Sequence, residues 1–316
     1  MNVIAILAAL GLEQWRAFHW RAALEQLFVR YARALERKLN GGTVQHGIVA
    51  ALAAVGPPVL VTAAVFFVLD AAHPLLGLVW NVAVLYPLMG FRRFSHAYTN
   101  VEKALKSGDL NVARRALAAW RGGAAAEWSS GEIAKLATEQ GLVDSYRQVF
   151  ATLFWFAVLP GPAGAVLYRA AVLLAAEWRG GDTTPVAQSR AAFGSPARAL
   201  LWLLDWIPAR LTALSFAIVG NFEDAAYCWR TQAASWALEE GGEHAGIVLA
   251  SGAGALGVQL GGTVSTAGGE SAVRPELGLG DAPEADLLPS GVGLVWRALV
   301  LWLLLMLLLT LANWAP

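Results

Sequence analysis

Asp205 and Arg210 stand five residues apart in WLLDWIPARLTAL (202–214), a segment with no other charge. An acid and a base in an apolar run hold ions, contact substrate or pair with each other, because a lone charge at membrane depth costs at least about 2.5 kcal/mol. A spacing of five fits one helical turn poorly, and Pro208 between them supplies a kink that brings them together. A structural ion pair is the first reading and a substrate contact the second.

The remaining chemistry-bearing patterns are weaker. SGAGALG (251–257) carries the letters G-x-G-x-x-G after the apolar run 247–250. That motif grips a dinucleotide only within a strand–turn–helix unit of a parallel sheet, and no further strand-like segments flank it. Close helix packing through Gly252, Gly254, Gly257, Gly261 and Gly262 is the plainer explanation. His19, His46, His73, His96 and His244 have no second ligand at i+3 or i+4, so no metal site is expected. Cys228 is the single cysteine, which excludes a disulfide framework or thiolate cluster. No G-x-S-x-G elbow and no phosphate loop occur.

The elements that must position these residues are membrane helices. Residues 298–316, ALVLWLLLMLLLTLANWAP, lack any ionisable side chain, and 47–69 and 71–91 are two further apolar runs separated by Asp70. Each approaches the about 20 apolar residues that cross a bilayer. The first two read as a hairpin whose turn carries Asp70, supported by His73-Pro74. A composition of 57% hydrophobic and 15% charged residues leaves too little polar surface for a soluble globule. Zero formal charge excludes the basic field that nucleic-acid binding needs. The apolar start, 3–12, has no basic residue before it and is expected as a retained helix.

Lys and Arg number six in 1–46, nine in 92–148, four in 169–198 and two in 220–296, which holds ten acids. Positive residues stay on the cytoplasmic side, so 1–46 and 92–148 are expected there, with the acidic 220–296 outside. Segment 149–176 has Pro160-Gly161-Pro162 at its middle and predicts a broken, partly re-entrant helix pair. Residues 200–219 and 298–314 then cross; full crossing by 149–168 is the five-span alternative. The expected fold is all-α, a polytopic integral membrane protein with about four or five transmembrane helices. Its parts are an N-terminal helix with a basic amphipathic helix (1–46), a transmembrane hairpin (47–91), a cytoplasmic helical region (92–148), a broken pair with a transmembrane helix (149–219), an acidic Gly-rich segment (220–296) and a C-terminal helix (297–316). Trp15, Phe18, Leu24, Phe28, Tyr31 and Leu35, with four arginines between them, predict an amphipathic helix. It lies either on anionic lipid or on its own bundle.

With these elements placed, FGSPARALLWLLDWIPARLTAL (193–214), LFWFAVLPGPAGAVLYRA (153–170), SGDLNVARRAL (107–117), GAGALGVQLGG (252–262) and RPELGLGD (274–281) resemble the CobD/CbiB family of cobalamin-biosynthesis membrane proteins, in that family's order. The resemblance covers about residues 90–300. AmpE, a proteobacterial inner-membrane relative, is similar in the N-terminal LEQWRAFHW stretch but lacks the Gly-rich segment.

The family resemblance implies a bacterial inner-membrane protein and an adenosylcobinamide-phosphate synthase, which joins adenosylcobyric acid to aminopropanol or its phosphate with ATP and magnesium. It implies Asp144 and Arg147 as stand-ins for a lost acidic run. Tyr168, Arg169, Arg210, Gly254 and Gly257 are the expected substrate contacts, and Asp144, Asp205 and Arg210 the catalytic candidates. Expected partners are membrane lipid, a corrinoid ligand, and a second copy or another membrane protein; nucleic acid is not expected. Several family polar positions read apolar here: Val172, Leu173, Leu174 and Ala175 after Tyr168-Arg169, and Leu200-Leu201 before the I-P-A-R element. The expected site is therefore degenerate or altered, and magnesium-ATP is doubtful. The alternative is a non-catalytic AmpE-like protein in envelope signalling or assembly.

Overall fold

The computed structural model describes residues 2–16, 18–122, 127–179, 185–239, 241–265 and 271–312, the side chains of residue 2 and of 185–190 excepted. In chain order the helices are α1 (Asn2–Trp15), α2 (Arg21–Leu39), α3 (Val44–Ala72), α4 (Pro74–Leu88), α5 (Phe91–Lys106), α6 (Leu110–Arg121), α7 (Ser130–Ser145), α8 (Ala151–Val158), α9 (Ala163–Glu177), α10 (Pro185–Val219), α11 (Phe222–Gln232), α12 (Gly242–Leu256) and α13 (Leu288–Ala312). A π-helical turn, Tyr146–Phe150, joins α7 to α8, and β1 (Gln259–Ser265) pairs antiparallel with β2 (Ser271–Gly278). Among the described residues, four helical stretches are long and apolar enough to cross a membrane: Val44–Ala72, Pro74–Lys106, Ala191–Val219 and Ala285–Ala312. The protein is mostly all-α and of membrane type. It folds as two compact units, Met1–Met89 with Ala151–Trp206, and Gly90–Phe150 with Ile207–Pro316.

In the first unit, Asp70 stays in the last turn of α3, and the break falls at His73. A residue before proline is pushed out of the helical region. His73 caps both helices: its N–H donates to the Leu69 carbonyl at 2.9 Å, and its Nδ1 accepts from the Leu75 N–H at 3.1 Å. The broken pair appears as α8 and α9, interrupted at 159–162. Gly161 has φ +60°, and a Cβ there would lie 2.4 Å from the Phe66 ring, so only glycine fits. The core is small-residue packing of α3 on α9 and α10, with Ala50, Ala54, Leu174, Trp178, Phe193 and Ala197 buried together. The amphipathic α2 packs on its own bundle: Ala32 is buried in this core, with Phe28, Leu35 and Leu39 against it. Leu24, Leu27 and Tyr31 of the same helix remain exposed.

The second unit is built around α12, whose residues 244–255 are all buried. Its glycines let neighbours approach: a Cβ on Gly254 would lie 2.5 Å from the Asp224 carbonyl oxygen of α11, and one on Gly252 would lie 2.8 Å from Leu142 of α7. Residues 247–250 are thus helical, not the strand a dinucleotide motif requires. The absence of strands near this motif is a sequence expectation that the structure corrects, since β1 follows α12 directly. The pattern is missed because QLGGTVS and SAVRPELG contain few β-branched or aromatic residues.

The hairpin also corrects the expected placement of 92–148 and 220–296 on opposite sides of the membrane. Trp128 Nε1 donates to the Ser265 carbonyl at 2.7 Å, and Val264 packs in one core with Tyr98, Leu117 and Ile133. Segments so packed cannot lie on opposite faces of a bilayer. The acidic count carries little weight in separating them, because Asp and Glu have little effect on orientation.

Candidate functional site

The second unit contains a polar cavity of about 270 Å³ lined by Arg121, Glu139, Asp144, Arg147, Trp236, Glu239 and Arg274, among others. Helix α7 supplies Glu139 and Asp144, and the π turn supplies Arg147. A π turn opens the helical repeat by one residue, and such turns recur at functional sites. Arg121 ends α6, where a cation complements the helix dipole. Arg274 comes from β2, held by the register slip between Leu260 and Gly262.

That slip explains how Glu139 is satisfied. Pro275 has no N–H for the ladder, and strand prolines belong at edges or bulges. Gly261 sits opposite with φ +73°, and a Cβ there would lie 1.9 Å from the Pro275 carbonyl oxygen. Its N–H turns away from the ladder and donates to Glu139 Oε1 at 2.9 Å. Arg274 closes on the same carboxylate with two bonds, Nη1 to Oε2 at 2.7 Å and Nη2 to Oε1 at 2.9 Å. The fork geometry suits a carboxylate, and the guanidinium also lies 5.4 Å from the Trp236 ring centroid.

Asp144 is the second acid. It accepts from Trp120 Nε1 at 2.8 Å and Gln140 Nε2 at 3.2 Å. Burial pushes its carboxyl above the ordinary range, against hydrogen bonds from Trp120, Gln140 and Gln148 and the field of Arg93. Carboxyls perturbed by burial cluster at functional sites, which makes Asp144 a candidate group here.

The sequence candidates divide between the units. Asp144 and Arg147 share the polar cavity. In the first unit, buried Tyr168 donates its hydroxyl to buried Asp205 Oδ1 at 2.8 Å, while Arg169 Nη2 bonds Glu25 Oε1 at 3.0 Å. Arg210, in the second unit, has its Nη2 3.8 Å from Glu243 Oε1. Gly254 packs against α11, and Gly257, with φ +69°, ends α12 in the left-handed cap that glycine favours. Gly254 thus serves close packing, and Gly257 serves helix termination.

Glu139, Arg274, Trp236, Arg121 and Glu239 escaped the sequence reading. A signal existed for Arg274, one of two cations in 220–296 and part of the R-P-x-x-G tail. Its partner Glu139 lies 135 residues away in sequence, and no spacing rule connects them.

The magnesium-ATP that the resemblance implies would need carboxylates to hold the metal, and those that α7 supplies to the polar cavity are engaged, Asp144 with Trp120 and Gln140. Among the described residues, no three His, Cys, Asp or Glu side chains converge to hold a metal ion. Glu139 is committed to Arg274 and Gly261, and the cavity is smaller than the roughly 300–1,000 Å³ usual for small-molecule sites. Its size and its arginines suit a single carboxylate or phosphate group.

The family model for CobD/Cbib protein matches residues 3–312. The chain is 35% identical over 308 residues to the cobalamin biosynthesis protein CobD of Stutzerimonas stutzeri (strain A1501), covering 96% of each chain. It is 38% identical over 232 residues to the protein of that name from Chromobacterium violaceum, covering 73% of this chain and 71% of that one. Against that of Photorhabdus laumondii it is 28% identical over 295 residues, 88% of each chain. No solved structure matches the chain. With a family model matched across nearly its whole length and near-full-length relatives of the same name, this chain belongs to the CobD/CbiB family of cobalamin-biosynthesis proteins.

Proposed function

We propose that the protein works in cobalamin biosynthesis as a multi-pass protein of the bacterial inner membrane, related to adenosylcobinamide-phosphate synthases but with an altered ligase site. One observation carries this reading: acidic and basic side chains collect in the cavity of Asp144, Arg147, Glu139 and Arg274, whereas several positions where the resemblance implies polar groups are apolar. Ala175 is buried, and Leu200 lines an apolar groove in the first unit. Apolar groups cannot supply the charge stabilisation that carboxylate activation needs, commonly several kcal/mol of barrier. The cavity's role in this reading is to orient the carboxylate or phosphate of a substrate through Arg121 and Arg147, with Asp144 as the proton-handling group.

The test gives purified protein adenosylcobyric acid, aminopropanol phosphate and magnesium-ATP. The expected outcome is no amide product above background and no magnesium-dependent ATP binding. Turnover that disappears in Asp144→Asn would overturn the altered-site reading and place an active synthase at the polar cavity. Complementation of a cobinamide-synthase null strain and deletion in the native host address the pathway. If deletion leaves cobalamin synthesis intact, the AmpE-like envelope role replaces this proposal.

A further inference from the structure

A second cavity lies in the first unit. It is a groove of about 740 Å³, walled by α3 and α10 and floored by Leu167 of α9. Both wall helices belong to stretches long and apolar enough to cross a membrane. The helices touch at Gly47, where a Cβ would lie 2.1 Å from the Phe193 carbonyl oxygen, and part further along, where Gly56 has no atom within 4 Å of a Cβ position. The lining runs along α3 from Val44 to Leu60. At 1.5 Å per residue that is about 24 Å, most of the roughly 30 Å hydrocarbon core of a bilayer.

The walls choose the occupant. Ser195 is the one hydroxyl among the lining residues, and it donates to the Ala192 carbonyl at 2.8 Å. A corrinoid, with amide and carboxylate arms, would bury polar groups there without partners, at about 1–3 kcal/mol each. A hydrocarbon chain makes no such demand. Charge chooses the headgroup: α2 ends with Arg37 and Lys38, both exposed, and Lys38 precedes Val44 by six residues, so the two lie within about 22 Å. Cations on the helix that leads into the Val44 end of the groove complement an anionic lipid phosphate.

We propose that the first unit seats one anionic phospholipid, an acyl chain lying in the α3–α10 groove and the phosphate held at Arg37 and Lys38. This assignment is independent of the ligase reading. Purified protein is incubated with phosphatidylglycerol or phosphatidylcholine of equal chain length, washed in detergent and weighed by native mass spectrometry. Wild-type protein should retain one phosphatidylglycerol in preference to phosphatidylcholine. Gly56→Phe and Ala199→Phe fill the groove from opposite walls, and each should lower retention at least about five-fold, a loss near 1 kcal/mol. Ala199 is exposed, so its variant keeps the test decisive if Gly56→Phe does not fold. Arg37→Gln with Lys38→Gln should erase the preference for phosphatidylglycerol. Undiminished retention in both filling variants overturns the proposal, and so does displacement of the lipid by adenosylcobyric acid.

Discussion

At the scale of single residues, the Glu139–Arg274 pair is the most exacting arrangement in the second unit. Its side chains are 5% and 15% exposed, so each charge depends on the other for solvation. Removing one partner from such a pair typically costs about 3–5 kcal/mol, because the survivor is left buried and uncompensated, whereas replacing both with apolar groups can be neutral. Arg274→Met or Glu139→Leu alone should therefore lower thermal stability in detergent more than the double variant does. Additive losses would show that the pairing is not what stabilises the hairpin. Asp144 differs, since its carboxyl is held up by burial and is easier to neutralise. Asp144→Asn should thus leave the fold intact and act on substrate orientation.

Among elements, the tie between α7 and the hairpin has a definite pH dependence. Ser129 caps α7 in a capping box with Glu132, and the same Glu132 accepts from the Ser265 N–H at 2.8 Å and hydroxyl at 2.9 Å. Burial alone would raise this carboxyl, but the hydrogen bonds from Ser129 and Ser265 outweigh it and hold it at about 2, below the ordinary 4.5. A depressed carboxyl contributes stability that is complete above its unfolded value and is lost as pH falls toward its folded one. The protection of the Ser265 amide, its exchange rate corrected for the intrinsic pH dependence, should therefore fall between about pH 4.5 and about pH 2, and Glu132→Gln should flatten that response. An unchanged pH profile in the variant would assign the hairpin's attachment to Trp128 instead.

For the molecule as a whole, the packing of 92–148 with 220–296 makes orientation a single question. Nine Lys and Arg in 92–148 favour the cytoplasm for both. A reporter active only outside the membrane should stay dark whether fused at Gly122 or at exposed Leu238. A bright signal at Leu238 with a dark one at Gly122 would contradict the packing of Trp128, Val264 and Ser265.

The sequence by itself determined the membrane class, the long apolar helices, the break at Pro160-Gly161-Pro162 and the family, because these rest on local composition, proline chemistry and contiguous motifs. It also brought forward Asp144 and Arg147. Tertiary structure decided that Tyr168 bonds Asp205, that Glu139 meets Arg274 across 135 residues, and that the acidic segment shares a core with the basic one. Those contacts depend on which helix faces meet and on a bulge set by Pro275 and Gly261. Neither the hydrophobic period nor charge counts along the chain carry that information, since both describe one element at a time.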